Sequence, residues 1–569
     1  MKTCIHCQKS FTIDPEDNLF YEKMGVPEPT HCPDCRQQRR MAWRNERFLF
    51  SRKCNKTNES IVSMYPEDVP FPVYHNREWW KDDWDAILYG RDFDGSKGLF
   101  EQMKELQNVV PRMHRFCYAE ERMINSEFTN CSGDMKDCYL VFASSQAEKS
   151  LYSIYLKDCV KCCDCFFVLH SELCYECTDC EKCYDLKFSN NCSGCHSSMF
   201  LEDCRACSDC IACVGLRQKK YHVLNQSYSK EEYEKINNAL IANNYQDAEL
   251  LASFEKLKNS LPKKYIHGEK NENCSGDYIW NSKNCSDCFD TAEAEDCKYC
   301  TWFVGGKNCM DYFAWGQAEL SYEISGGGYE MYQCAFTAMS YACKFSMYLD
   351  QCVYCEHCFG CVGLNKKKYC ILNKQYTKEE YEVLVPKIVE KMRETFIVDR
   401  LSTSGDGLNS MNDKRQTINE FGEFFPASMS PFAYNKSVAI DRYPLTEAQA
   451  LFEGLCWIHD KENTGAGEVL ERVHISQVSD DITGKVLKCA ESGKSYKVTA
   501  QELQLYRELQ VPIPNVCLDV RYLKRLRSRN SYHLHERQCA KCSKVIKTSY
   551  SKEKLEIVYC EECYLGSVY

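Results

Sequence analysis

No run of about 18 apolar residues occurs in this 569-residue chain, so no membrane-crossing helix is expected. The opening MKTCIHC holds neither an apolar stretch nor a small-residue cleavage site, so no secretory leader is expected. The phosphate-cradling patterns GxGxxG and GxxxxGK[ST] are absent, and so is GxSxG. The usual signatures of nucleotide binding and of serine hydrolysis are therefore missing. Positive charge is also short overall. The net charge of −11 argues against a protein that coats nucleic acid over its whole surface.

Cysteine is what the chain has in excess, with 42 residues. Without a leader, a cytoplasmic location and reduced thiols are expected. CxxC pairs there read as metal ligands or core residues, not as disulfides. Cys4-x2-Cys7 and Cys32-x2-Cys35 form one set, and Cys539-x2-Cys542 and Cys560-x2-Cys563 another. Each CxxC turn offers two thiolates, and two turns complete the tetrahedron that zinc requires. Two structural Zn2+ ions are expected, with no open coordination position.

The two ends are related by a constant offset of 485 residues. Cys4, Cys7, Cys32 and Cys35 fall on Cys489, Ser492, Cys517 and Val520. Cys54, Thr57, His75 and Glu78 fall on Cys539, Cys542, Cys560 and Cys563. Each end thus reads as a tandem pair of ribbon-like units, one intact and one degenerate, with complementary losses. Decay of an ancestral zinc site is the simpler account of the degenerate units. Cys54, His75 and Glu78 with a water are the alternative at one of them.

Between the pairs lies a second duplication. NCSGD begins at Asn130 and again at Asn273, and CVGLRQKKYHVLNQSYSKEEYE (213–234) recurs as CVGLNKKKYCILNKQYTKEEYE (361–382). Ser229 with Glu232, and Thr377 with Glu380, have the spacing of a capping box, so helices are expected from about Lys230 to Ala242 and from Lys378 to about Thr395. The stretch 246–260 also reads as helix, and 402–412 as a linker. In the Cys-rich tracts the thiols recur in multiples of three. Cys159, Cys162, Cys165, Cys174, Cys177 and Cys180 share one register, which Cys163 breaks. Cys285 to Cys309 share a register, and Cys334 to Cys361 share another. A period of three is neither helical nor that of a flat strand. It fits compact β-solenoid coils that stack small side chains. A string of metal-binding CxxC knuckles is the runner-up. The thiols themselves could be buried small hydrophobes, ligands of several metals including iron–sulfur clusters, or redox groups.

The expected fold is therefore mainly β with short helices: two Cys-rich β-solenoid-like bodies flanked at each end by a tandem zinc-ribbon-like pair. The boundaries read as an intact ribbon at 1–48, a degenerate ribbon plus Trp-rich linker at 49–100, solenoid bodies with their helices at 101–245 and 246–400, a linker with the SPFAYN segment at 401–485, a degenerate ribbon at 486–530 and an intact ribbon at 531–569. Trp79, Trp80 and Trp84 read as a packing seam. Gly326, Gly327 and Gly328 read as a tight corner. His533 and His535 read as surface or near-site residues.

The block with CxxC, FY, Gly-x-Pro and CPDCR resembles the probable zinc-ribbon domain of bacterial proteins. The whole order, with its GLxxKxYxxxN and YSKEEYE elements and FPASMSPFAYN (425–435), is similar to an uncharacterised Cys-rich bacterial zinc-ribbon family. Its members sometimes carry an automatic CaiB/BaiF CoA-transferase label. No extended α/β pattern here supports that label, and the resemblance implies no activity. The residues point to a zinc-binding, non-enzymatic scaffold or adaptor. The alternative is a metal-storage or thiol-redox protein. Partner contact is expected at the basic stretches, through Arg36, Arg39, Arg40, Arg44, Arg521 and Arg525. RNA or DNA phosphate is the leading partner, otherwise a protein, and no membrane. A solvated helix face, or salt bridges to the acidic body, is the blander reading of the same arginines.

Overall fold

A computed structural model describes residues 1–117, 120–394, 396–400, 415–460, 467–471 and 473–568. The linker expected at 402–412 lies outside the described residues. The fold is mainly β with short helices, and the chain divides into two compact units. Unit 1 joins Met1–Phe116 to Ile266–Ile458 and Tyr532–Leu534, and unit 2 joins Cys117–Tyr265 to His459–Ser531 and His535–Tyr569. Each unit therefore holds one Cys-rich body and one ribbon pair. The N-terminal ribbons share a unit with the second Cys-rich body, and the C-terminal ribbons with the first.

Both Cys-rich bodies are stacks of short parallel strands with a 12-residue register. Ile154 pairs with Phe166 and Phe166 with Thr178. Tyr184, His196, Ser208 and Lys220 form a second such column, and Phe289, Thr301 and Phe313 one in the second body. The period of three arises because each coil turns four corners. Asp158, Lys161, Asp164 and Phe167 have φ of 52°, 53°, 56° and 53°, so every third residue is left-handed. A left-handed L-residue costs about 1–2 kcal/mol. Asp and Asn tolerate it best, yet Tyr155, Phe167 and Phe188 also adopt it. Backbone hydrogen bonds between coils offset the cost. Leu151 N donates to Cys162 O at 2.9 Å, and Asp164 N donates back to Leu151 O at 3.2 Å.

The triplet leaves its first residue facing inward, where only small or slender side chains fit. Cys162, Cys165, Cys174, Cys177, Val168 and Leu186 belong to one buried cluster. All the cysteines are unbridged. Their thiols donate to carbonyls of the next coil, as Cys165 does to Cys174 O (3.4 Å) and Cys177 to Leu186 O (3.2 Å). Serine takes the same position, and Cys162 N donates to Ser150 Oγ at 3.1 Å. The strands form two paths in the first body and one in the second, and none of the three closes on itself.

The change of cysteine register after Cys309 has a local cause. Ala318 pairs with Met331 and Tyr322 with Ala335, a step of 13 residues. The extra residue falls between Gly328 and Met331, where Tyr329 and Glu330 are both left-handed (φ 46° and 57°). Just before it, Gly328 lies against Gly316 of the preceding coil, which adopts φ 148° and on which a Cβ would lie 2.1 Å from Gly328 Cα. Each body ends in an antiparallel hairpin and a capped helix, Lys230–Ala242 and Lys378–Glu394. Glu232 N donates to Ser229 Oγ and Glu380 N to Thr377 Oγ1, both at 3.2 Å, as the capping boxes require.

The ribbon pairs match element by element at the 485 offset. The hairpin Lys2–Thr3/Ser10–Phe11 corresponds to Leu487–Lys488/Ser495–Tyr496, and the helix Pro15–Met24 to Ala500–Leu509. Helix Pro33–Met41 corresponds to Leu518–Ser528. The second hairpins, Phe50–Lys53/Ser60–Ser63 and His535–Gln538/Val545–Thr548, correspond too. Trp79 is buried with Trp80 and Trp84 against it, so this cluster is a packing seam.

Candidate metal centres

In each intact ribbon a hairpin knuckle supplies two cysteines, and the start of a helix supplies the other two. Cys32 is the N-cap of helix Pro33–Met41 and Cys35 lies in its first turn. The sulfurs of Cys4, Cys7, Cys32 and Cys35 lie within 4.8 Å of one another, and so do those of Cys539, Cys542, Cys560 and Cys563. Cys7 Sγ is 3.7 Å from Cys32 Sγ, and Cys542 Sγ 3.7 Å from Cys560 Sγ. Four sulfurs bound tetrahedrally at about 2.3 Å stand about 3.8 Å apart, so both quartets can hold a metal ion. Among the described residues these two are the groups in which three or more such ligand atoms come that close.

The quartets hold their protons unevenly: burial pushes Cys563 up to about 12, whereas the first cysteine of each knuckle is pulled down. Hydrogen bonds from Cys32 and Cys35 hold the Cys4 thiol far below its ordinary value. Burial pushes Cys539 up, but the N–H groups of Cys560, Cys542 and Lys541 outweigh it and bring its pKa down to about 6. The degenerate knuckles keep this arrangement. Burial raises Cys489, yet Ser492 and the Cys517 N–H lower it to about 7. Burial likewise opposes ionisation of Cys54, and Thr57 and the His75 N–H reverse the effect.

The degenerate units fill the ligand positions with other bonds. Ser492 Oγ lies 3.4 Å from Cys517 Sγ, where its counterpart Cys7 faces Cys32. Val520 packs against Cys489 and Cys517. His75 accepts the Arg77 N–H and stacks on His114 at 4.4 Å. Glu78 pairs with Lys81 at 2.6 Å and Lys56 at 3.5 Å. Cys54, His75 and Glu78 do not converge on a common point within 4.8 Å.

The arginines that the sequence offers as a contact surface are buried against carboxylates of their own unit. Arg36 and Arg40 are each 1 % exposed, Arg44 3 %, and Arg521 and Arg525 5 % and 8 %. Arg36 and Arg40 grip Asp311 at 2.8 and 2.9 Å, and Arg40 also grips Glu323 at 2.9 Å. Arg39 bridges Glu323 and Glu423 at 3.0 and 2.8 Å. Arg44 pairs with Glu46 and lies over Trp302. At the other end Arg521 pairs with Asp164, and Arg525 reaches Asp164 at 2.9 Å. Burial opposes the charge on Arg521 and Arg36, but Asp164 and Asp311 reverse that and raise both.

These junctions repeat at both levels of the duplication. Arg36 lies 5.4 Å over the Tyr299 ring, and Arg521 4.7 Å over Tyr152. In both bodies the Tyr and the Asp stand 12 residues apart on left-handed corners of successive coils. Sequence reasoning missed Asp164, Asp311, Tyr152 and Tyr299. The available signal was their shared spacing, 147 residues from each to its counterpart. The 425–435 segment clamps the same junction in unit 1. Phe425 packs on Trp43 and Tyr348, and Ser430 Oγ donates to Ala42 O at 2.8 Å.

No helix among the described residues is long and apolar enough to cross a membrane. No family model matches the chain, and no curated protein matches it.

Proposed function

We propose that this protein is a zinc-stabilised, non-enzymatic scaffold. The observation that carries the reading is the twofold junction: Cys-nucleated helices whose arginines lock onto an Asp and a Tyr of a stacked-coil body. Zinc is the metal that best fits four thiolates in a closed tetrahedron. At the N-terminal site the ligands Cys32 and Cys35 lie on the helix that carries Arg36 and Arg40. Metal binding there holds the junction as well as the ribbon. The ancestry suggested by the CPDCR and YSKEEYE elements, a Cys-rich bacterial zinc-ribbon family, is part of the same proposal.

Partner contact has to use side chains outside the buried junctions. Lys53, Lys524 and Arg527 remain exposed beside them, and RNA or DNA phosphate is the partner they fit. So few cations give weak binding that falls steeply with salt. The scaffold reading is tested by X-ray absorption at the zinc edge together with thermal unfolding before and after chelation. Four sulfur ligands per zinc, and a lower melting temperature once zinc is removed, are expected. An open site with oxygen ligands, or a fold indifferent to zinc removal, would sink it.

A further inference from the structure

The second ribbon of each pair grips the stretch through which the chain enters a Cys-rich body. Val73–Tyr74 pairs in parallel with Arg112–Met113, ahead of the first body, and Val558–Tyr559 with Lys263–Lys264, ahead of the second. The hydrogen bonds match one for one. Arg112 N donates to Pro72 O and His114 N to Tyr74 O, both at 2.9 Å. Lys263 N donates to Ile557 O at 2.7 Å and Tyr265 N to Tyr559 O at 2.9 Å. Ser63 Oγ donates to His114 O at 2.9 Å, and its counterpart Thr548 Oγ1 to Tyr265 O at 2.7 Å. The two grips are held by different means. In unit 1, where one cysteine of the quartet remains, packing does it. Trp79 is buried with Met113, and Trp80 and Trp84 lie against them. Trp79 Nε1 donates to Pro111 O at 3.0 Å, and Asn76 N to His114 Nδ1 at 2.9 Å. In unit 2 the offset puts Tyr564 and Leu565 where Trp79 and Trp80 stand. Tyr564 turns its hydroxyl to Asp203 and Arg217, and Leu565 is exposed. The buried core of this ribbon is Cys539, Ile546, Tyr550, Val558 and Cys560, of which two are metal ligands. So small an apolar core needs its metal to stay folded.

We propose that the C-terminal quartet is a metal latch on residues 263–265: zinc there keeps them paired to Val558–Tyr559, and its removal frees them, whereas 112–114 stay paired with or without zinc. The inference rests on the scaffold reading's zinc at this quartet and adds what that zinc controls. Cys560 directly follows Tyr559, so tying Cys560 and Cys563 to the knuckle cysteines fixes the strand that receives Lys263 and Tyr265. Without that tie a two-residue strand is left on a core of three apolar side chains. Lys263 keeps Glu202 at 3.4 Å, and Tyr564 keeps Asp203, so the change is a local opening with both ends tethered. Solvent reaches the latch, because Cys542 is exposed and Cys563 half-buried.

The test is native-state hydrogen exchange of the full chain at the amides of Lys263, Tyr265, Arg112 and His114, with zinc counted in every sample. Cys542→Ser removes an exposed ligand that lies outside the strand pairing. Protection at Lys263 and Tyr265 should fall by at least about tenfold, and at Arg112 and His114 by less than about twofold. Wild type from which a chelator has taken the C-terminal zinc should show the same loss, and should regain protection when zinc is restored, which a purely structural effect of the serine would not produce. Trp79→Ala should give the reverse pattern, with loss at Arg112 and His114 alone. Cys35→Ser, which removes the N-terminal zinc, should leave all four amides protected. Unchanged protection at Lys263 and Tyr265 in a chain that has lost its C-terminal zinc overturns this inference alone. So does an equal loss at the Leu151 and Cys163 amides, which join coils of the first body, because that is unfolding of the unit and not release of a latch. A chain that never holds zinc at the C-terminal quartet fails the scaffold reading, and this inference with it.

Discussion

Replacing Asp164 with alanine should unlock unit 2 at its junction. The Asp164 carboxylate is fully buried and is shared by Arg521 and Arg525. Without it, Arg521 retains Glu502 at 3.8 Å and the Tyr506 hydroxyl at 3.0 Å, and Arg525 retains the Tyr152 carbonyl at 3.3 Å and the attraction of the Glu176 carboxylate nearby. Removing one partner of a buried pair costs about 3–5 kcal/mol, because the other charge stays desolvated. At about 1.4 kcal/mol per tenfold, opening of helix Leu518–Ser528 should become roughly 10²- to 4 × 10³-fold more frequent. Native-state hydrogen exchange resolves this helix from its counterpart Pro33–Met41, which a single melting curve of a two-unit chain would not. Asp311→Ala should cost less, since Glu323 still pairs with Arg40. Converting Asp164, Arg521 and Arg525 together to Leu, Met and Met should restore much of the protection. Protection in Leu518–Ser528 that falls by less than tenfold in Asp164→Ala would refute the junction as the holding element.

Restoring the lost ligands should rebuild a site: Ser492→Cys with Val520→Cys should raise bound zinc from two to about three per chain, read by native mass spectrometry. The two native sites should also differ in lability. Cys542 is exposed and Cys563 half-buried, whereas Cys4, Cys32 and Cys35 are buried, so a chelator should strip the C-terminal zinc first, as site-specific Cys35→Ser and Cys560→Ser variants would show. Burial opposes ionisation of Glu423, but His31, Arg39 and Thr30 bring its pKa down to about 2. A depressed carboxylate stabilises above its ordinary pKa near 4.3, and the gain disappears as pH falls toward 2. The stability gap between wild type and Glu423→Gln, about 3 kcal/mol at neutral pH, should therefore close across that window. Denaturant titrations on metal-free protein at several pH values would check it, and a gap independent of pH would contradict the assignment.

Much of this architecture was legible in the residues. The CxxC spacings identified both quartets, and the 485 offset anticipated that the two ends would match even where the ligands are gone, but the helices inside each ribbon-like unit, such as Ala500–Leu509 and Leu518–Ser528, were not foreseen. The threefold recurrence of cysteine anticipated stacked coils because an inward position selects small side chains. Two things were not legible. Asp164 and Asp311 look like ordinary corner residues, since aspartate is common at left-handed corners for backbone reasons alone. The pairing of each ribbon pair with a body far along the chain depends on contacts hundreds of residues apart, as between Arg36 and Asp311, which no local pattern records. Arg36, Arg40, Arg521 and Arg525 looked like a solvent-facing basic stretch for the same reason. The acidic partners that neutralise them are remote in sequence.

The most direct test is the metal count of the intact chain, purified without oxygen and weighed under native conditions. Two zinc ions are expected in the wild type, and one in each of Cys35→Ser and Cys560→Ser. A chain that carries no zinc, or variants that keep both ions, would contradict the account.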